Sequence, residues 1–205
     1  VPKRACPRGV KAAYWLSIHT TRPSLPRGIA AVSDTSLPSR LELAAAEMRL
    51  LALPGREMIL RGKLALMRGS YDVILIDTPP SLGQLTLNAL CAADTVLVTC
   101  QPEPYALAGL RQLESTIGEI RERINPLLQI GAVVPVMFDA RLKIHQDMRE
   151  NLRDHFGDRL LETVIRRNVA LSEAQAAGQH IFEYAPGSNG AADYKALAGE
   201  VMGKL

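Results

Sequence analysis

The run Tyr71-Asp72-Val73-Ile74-Leu75-Ile76-Asp77-Thr78-Pro79-Pro80-Ser81-Leu82 is the most informative part of this 205-residue chain. Val73 to Ile76 form an unbroken β-branched and aliphatic series, the pattern of a strand covered on both faces. Asp77 follows at once, at the end where an open parallel sheet presents its ligands. Thr78, Pro79 and Pro80 then stop the strand, because proline lacks the N–H that a ladder needs. A carboxylate fixed beside a stiff turn suits a hard cation such as Mg²⁺. The local pattern fits a strand-capping Asp equally well.

Outward from this stretch, helical and strand patterns alternate. The spacing predicts helices over 39–51 and 55–68, a strand over 72–77, a helix over 83–91 and a strand over 95–100. Further on it predicts a helix over 105–123, a strand over 129–137, a helix over 142–156 and a strand over 160–165. Helices over 169–177 and 189–203 close the chain. Such alternation implies an α/β fold, a parallel sheet with helices on both faces. Residues 1–28 break the pattern. They carry Pro2, Pro7, Pro23 and Pro26 among Lys3, Arg4, Arg8, Lys11, Arg22 and Arg27, and read as a divergent, irregular segment. Its basic run fits a solvated tail or a DNA arm. The remainder, 29–205, reads as one domain.

Composition narrows the class. An apolar fraction of 47% builds a core and argues against disorder. A net charge of +3 permits contact with nucleic acid without demanding it. Cys6, Cys91 and Cys100 form no Cys-x-x-Cys pair and suit a reducing cytoplasm. The longest apolar run, Ile130 to Phe138, is too short to span a bilayer and contains Pro135. Lys11 and His19 interrupt the apolar part of residues 1–20, against a signal peptide. The four histidines show no metal-ligand spacing, and no Gly-x-Ser-x-Gly elbow is present. Ala191, Tyr194, Leu197, Val201 and Met202 form one stripe, which reads as a core-docking face rather than a membrane anchor.

Several segments, in order, carry a family resemblance. They are Leu37-Pro38-Ser39 leading into Leu41 to Glu47, then Leu53-Pro54-Gly55-Arg56-Glu57, and Asp77 to Leu82 running on to Thr86-Leu87-Asn88-Ala89-Leu90. Asn125-Pro126, Asp139-Ala140-Arg141, Arg167-Asn168-Val169, Leu171-Ser172-Glu173-Ala174, Tyr184 to Ser188 and Gly190-Ala191 follow. From about Ser36 to Leu205 the chain resembles the ParA/Soj family of deviant P-loop partition ATPases. That family opens with a strand and a Lys-Gly-Gly-x-Gly-Lys-Thr phosphate loop, which this sequence lacks. Its Gly-Lys pairs, Gly62-Lys63 and Gly203-Lys204, are not followed by Ser or Thr. A phosphate loop works through backbone N–H groups at a helix start plus a lysine on the phosphates. The resemblance therefore implies an incomplete P-loop NTPase-like fold, the carboxyl-terminal part of a ParA-like protein.

The resemblance also implies roles. Asp77 becomes the catalytic acid that holds Mg²⁺ through water, and Thr78 to Leu82 the switch that senses the γ-phosphate, with Thr78 and Pro79 beside the nucleotide. In the family, Ile-Pro-Arg-Asn flanks the adenine. Here Ile165-Arg166-Arg167-Asn168 stands in its place, so Arg166 is a candidate to stack on the base and Asn168 to read it. A structural Asn in a left-handed turn is the alternative. Asp139 reads as the cap of the following helix. Arg149 and Arg153, four apart on one helix face, are the candidate DNA-binding residues, backed by Lys143, His145 and His155. ATP and Mg²⁺ are the implied cofactors. The implied partners are non-specific DNA, a ParB-type centromere-binding protein and a second copy of the chain, with no membrane. The implied location is the cytoplasm, on the nucleoid. Alternatives are a non-enzymatic remnant that keeps the fold, or a relative that positions another cargo. Without the family's first strands, the strand over 72–77 is expected to expose an apolar edge unless residues 1–28 cover it.

Overall fold

A computed structural model describes residues 13–19, 29–32, 47–65, 73–78 and 81–204. The fold is α/β, a parallel sheet flanked by helices, and the chain divides into two compact units. One takes in Ala13–Val98 and Arg111–Ile130; the other takes in Thr99–Leu110 and Gly131–Leu205.

In the first unit, β1 (Ala13–His19), β2 (Ile29–Val32), β3 (Val73–Asp77) and the part of β4 (Thr95–Cys100) up to Val98 lie in the order β2-β3-β1-β4. Here β3 is the strand expected over 72–77. Val73, Ile74 and Ile76 are buried, and so are Val96, Leu97 and Val98 of β4, as two-sided cover demands. Neither β1 nor β2 was expected. β2 runs parallel to β3, pairing Ile29 with Val73 and Val32 with Ile76. β1 runs antiparallel, pairing Trp15 with Asp77 and His19 with Val73. Residues 13–19, expected to be irregular, therefore form a strand that covers one edge of β3, and β2 covers the other. The exposed edge is absent for this strand, because both its ladders are filled.

A helical stretch spans 47–51, where the pattern predicts 39–51; residues 39–46 lie outside the described residues. A 3₁₀ turn at Arg56–Met58 leads into α1 (Ile59–Ala65), and α2 (Gln84–Ala92) follows β3. Buried asparagines tie these helices. Asn88 Oδ1 accepts the Leu60 N–H at 3.2 Å, while its amide donates to the Gln84 carbonyl at 3.0 Å. Asn125 donates to the Ala93 and Leu90 carbonyls at 2.6 and 3.3 Å, satisfying groups that the end of α2 leaves open. On α3 (Ala106–Arg123), buried Leu113, Ile117 and Ile120 recur at helical spacing.

In the second unit, β5 (Gln129–Phe138) pairs parallel with β6 (Ile165–Arg166). α4 (Lys143–Phe156) buries His145, Met148, Leu152 and Phe156, one face of four turns. α5 (Val169–Ala176), α6 (Ile181–Tyr184) and α7 (Asn189–Met202) follow. Ala174, Ile181 and Ala191 form their shared core with Leu171 and Ala185 packed against it. β6 is much shorter than the strand expected over 160–165. The Glu162 and Thr163 N–H groups donate to the Glu200 carboxylate at 2.8 and 2.9 Å, which removes them from any ladder. Only a bridge between Val133 and Leu160 remains of that stretch.

Candidate functional site

The first unit presents Asp77 at the carboxyl end of β3. Its side chain is exposed although three of the four residues before it are buried, so the strand carries a carboxylate from the core to the surface. Such an oxygen ligand at a strand end fits a hydrated divalent cation. Thr78 is half-buried beside it; Pro79 lies outside the described residues. Where the turn resumes, the Thr86 hydroxyl donates to the Ser81 carbonyl at 2.6 Å. The Gln84 N–H, in the first turn of α2, donates to Glu47 Oε1 at 2.8 Å. An acidic side chain from a distant segment thus meets the positive end of that helix. Burial pushes the Cys91 thiol up to about 11 and the Cys100 thiol to about 12, which disfavours the thiolate form of both.

The second unit gathers the turns after β5 and β6 at one edge, because these strands are parallel. β5 ends on a bulge. Val136 pairs with Ile165 and Phe138 with Arg166, leaving Met137 between them at φ 53 and exposed. A non-glycine residue in that region marks a strained, over-determined turn. Next comes Asp139, which does not cap α4. Its Oδ1 accepts the Arg141 N–H at 3.0 Å and Nε at 2.9 Å, and its Oδ2 accepts the other guanidinium nitrogen at 2.7 Å. Those Arg141 hydrogen bonds hold the Asp139 carboxyl well below the usual carboxylate range. The residue before α4 is Leu142, which has no side-chain cap. His145 is buried rather than part of a basic face, and its Nδ1 accepts the Asp139 N–H at 2.9 Å.

At the next turn Arg166 is held by Asp193 of α7. Its Nη2 lies 2.6 Å from Oδ1 and its Nε 3.0 Å from Oδ2, and the Arg166 N–H also donates to Oδ2 at 3.0 Å. Asp193 is buried, so its carboxylate fixes the edge of a guanidinium whose side chain is 46% exposed. Asn168 precedes α5 as its cap, accepting the Ala170 N–H at 2.9 Å, with φ −146 rather than a left-handed turn. Gly190 lies against it. A Cβ there would fall 2.8 Å from Leu171 Cγ and 3.3 Å from Asn168 Nδ2.

Arg149 and Arg153 converge, but on a carboxylate. Arg149 lies 2.9 Å from Glu162 Oε2 and Arg153 2.7 Å from Glu162 Oε1. Glu162 and Asp193 gave no signal in the sequence, since each acts through a residue elsewhere along the chain, and Gly190 stood out only as part of the family resemblance. Among the described residues, no group of three His, Cys, Asp or Glu side chains could hold a metal, and no helix is long and apolar enough to cross a membrane.

Residues 27–130 match the family described as AAA domain. The chain is 43% identical over 165 residues to the sporulation initiation inhibitor protein Soj of Bacillus subtilis, covering 80% of this chain and 65% of that protein. It is 42% identical over 166 residues to the chromosome partitioning protein ParA of Myxococcus xanthus, covering 81% of this chain and 59% of that one. It therefore spans less than two thirds of the length of both. Among solved structures, cobyrinic acid a,c-diamide synthase of Mycobacterium smegmatis with bound ATP analog and magnesium superposes with a TM-score of 0.67 at 34% identity. That match covers 81% of this chain and 61% of the other.

Proposed function

This chain belongs to the ParA/Soj family of ATPases, and from that premise we propose that it serves plasmid or chromosome partitioning by binding DNA without sequence preference. The observation that carries this reading is the convergence of two arginines, half-buried Arg149 and exposed Arg153, within one face of α4. Guanidiniums that meet on one anion suit phosphate oxygens, and phosphate contacts require charge rather than base-reading geometry. A ParB-type protein and a second copy of the chain are the partners that the family relationship supports. Met137, Leu142, Ile144 and Val169, all exposed at the turns after β5 and β6, support self-association through that edge.

Nucleotide chemistry divides between residues that fit and residues that do not. Asp77 would hold Mg²⁺ beside Thr78, and Asn168 would meet the base; Arg166 is held by Asp193. When bound, Mg²⁺ and ATP would supply charge screening and a transferable phosphoryl group. A non-enzymatic variant of this role is favoured by β1. Its antiparallel course brings the chain into the sheet at the Asp77 end and takes it out beside Val73. A phosphate-binding turn instead follows the carboxyl end of a parallel strand.

Titrating a random-sequence duplex against the parent and the Arg149→Glu, Arg153→Glu double variant tests the DNA reading. The parent should bind with an affinity that falls steeply with salt, and the double variant should lose that binding. Equal binding by the two proteins across the titration would overturn it.

A further inference from the structure

Glu162 sits between the two arginines assigned to DNA, held by them at its carboxylate and by Glu200 at its main chain. Its Oε2 meets Arg149 at 2.9 Å and its Oε1 meets Arg153 at 2.7 Å. Arg149 also donates to the Glu162 carbonyl at 3.2 Å. The main chain beneath is pinned in turn, because Glu200 accepts the N–H groups of Glu162 and Thr163 at 2.8 and 2.9 Å. Glu200 belongs to α7, so the carboxylate of Glu162 is presented to α4 from a segment that another helix holds in place. A mobile surface acid would lose side-chain entropy on pairing and contribute little. Here the backbone position is already set. The Glu162 side chain is 68% exposed, and those of Arg149 and Arg153 are 33% and 45% exposed, so a macromolecular phosphate that displaces the carboxylate meets the same guanidiniums.

We propose that Glu162 is a built-in competitor of the DNA backbone: its carboxylate occupies the seat of one phosphate between Arg149 and Arg153, and DNA binds by displacing it. The proposal rests on the reading of these arginines as the DNA contact. Two charge-assisted, guanidinium-directed bonds to one anion are the arrangement a phosphodiester offers as well. Displacement sets a threshold. A single weakly held phosphate loses to a tethered carboxylate, whereas a duplex engaged elsewhere on the protein delivers its phosphate at high local concentration and wins. Glu162 thereby weakens binding to short or singly charged anions more than binding to long DNA.

The test compares the parent, Glu162→Gln, the Arg149→Glu, Arg153→Glu double variant and the triple variant on a random duplex. Circular dichroism establishes that each is folded. Glu162→Gln removes the charge at an exposed site while keeping the shape. It should bind about three- to tenfold more tightly at low salt, on the scale of two exposed ion pairs, with the gain shrinking as salt screens it. The triple variant should lose the gain entirely. Binding by Glu162→Gln where the parent shows none would support the proposal more strongly still. If the double variant loses DNA while Glu162→Gln matches the parent, the competitor is overturned and the DNA reading stands. If the double variant binds as the parent does, or no variant binds at all, both fall together.

Discussion

Arg166 shows how one side chain can redirect a site. Its guanidinium and its N–H both engage Asp193, so the turn after β6 is bolted to α7. Asn168 then stands as the cap of α5, packed where Gly190 leaves room. Gly190→Ala places a methyl group 2.8 Å from Leu171 Cγ. The resulting overpacking should cost about 1–3 kcal/mol and shift Asn168. Chemical denaturation measures it, and an unchanged midpoint would contradict this packing. Glu200 offers a pH test. Burial opposes its ionisation, but the hydrogen bonds from Thr163 and Glu162 prevail and hold its carboxyl below the usual value of 4.5. A carboxyl depressed by folding stabilises the folded state above its unfolded pKa, and that stabilisation is lost as pH falls through the lower folded value. Glu200→Gln should therefore melt below the parent at pH 7, by about 1 kcal/mol for two weakened hydrogen bonds. The gap should close as pH falls below 4.5 and through the lower folded value. A gap that is constant with pH would mean the carboxylate charge is not what holds Glu162 and Thr163.

At the level of elements, β3 is the strand that gains most from its neighbours. β1 and β2 fill both its ladders, pairing Trp15 with Asp77 and Ile29 with Val73. Deleting residues 1–20 removes β1 and opens a row of unpaired N–H and C=O groups on a strand of buried apolar residues. The shortened chain should self-associate or precipitate, where the parent elutes as a defined species on sizing chromatography. Equal behaviour of the two would show that β1 is dispensable. This strand is also where sequence reading stopped short. Tyr14, Trp15, Leu16 and Ile18 have strand chemistry, but the prolines and basic residues on either side outweighed it, and an antiparallel pairing partner leaves no local trace. By contrast β3, β4, α3, β5 and α4 were legible almost to their ends, because the strands are near-continuous apolar runs and the helices repeat their apolar residues at helical spacing. β6 was overextended from 165 back to 160, because the Glu200 carboxylate that takes its N–H groups lies far along the chain. Asp77 was legible as a strand-end acid. Asp139 was misread as a cap because its carboxylate answers Arg141 instead of the helix.

Across the whole molecule, the family relationship and the strand arrangement pull on different parts of the function. The basic face of α4 needs only its own unit and the pinned Glu162 opposite it. Phosphoryl transfer needs a cation, a base contact and a cradle of N–H groups around the phosphates. The 205 residues carry no Gly-Lys-Thr or Gly-Lys-Ser sequence, and the strand beside β3 on the β4 side is antiparallel. DNA binding and ATP turnover should therefore separate in this chain. The central claim is that the chain carries Asp77 at a strand end of an α/β fold without the Gly-Lys-Thr phosphate-loop sequence that turnover requires. Steady-state ATP hydrolysis by the purified chain, with Mg²⁺ and DNA present, tests that claim most directly. The prediction is turnover indistinguishable from an Asp77→Ala variant and from buffer; measurable Mg²⁺-dependent turnover that disappears in Asp77→Ala would contradict it.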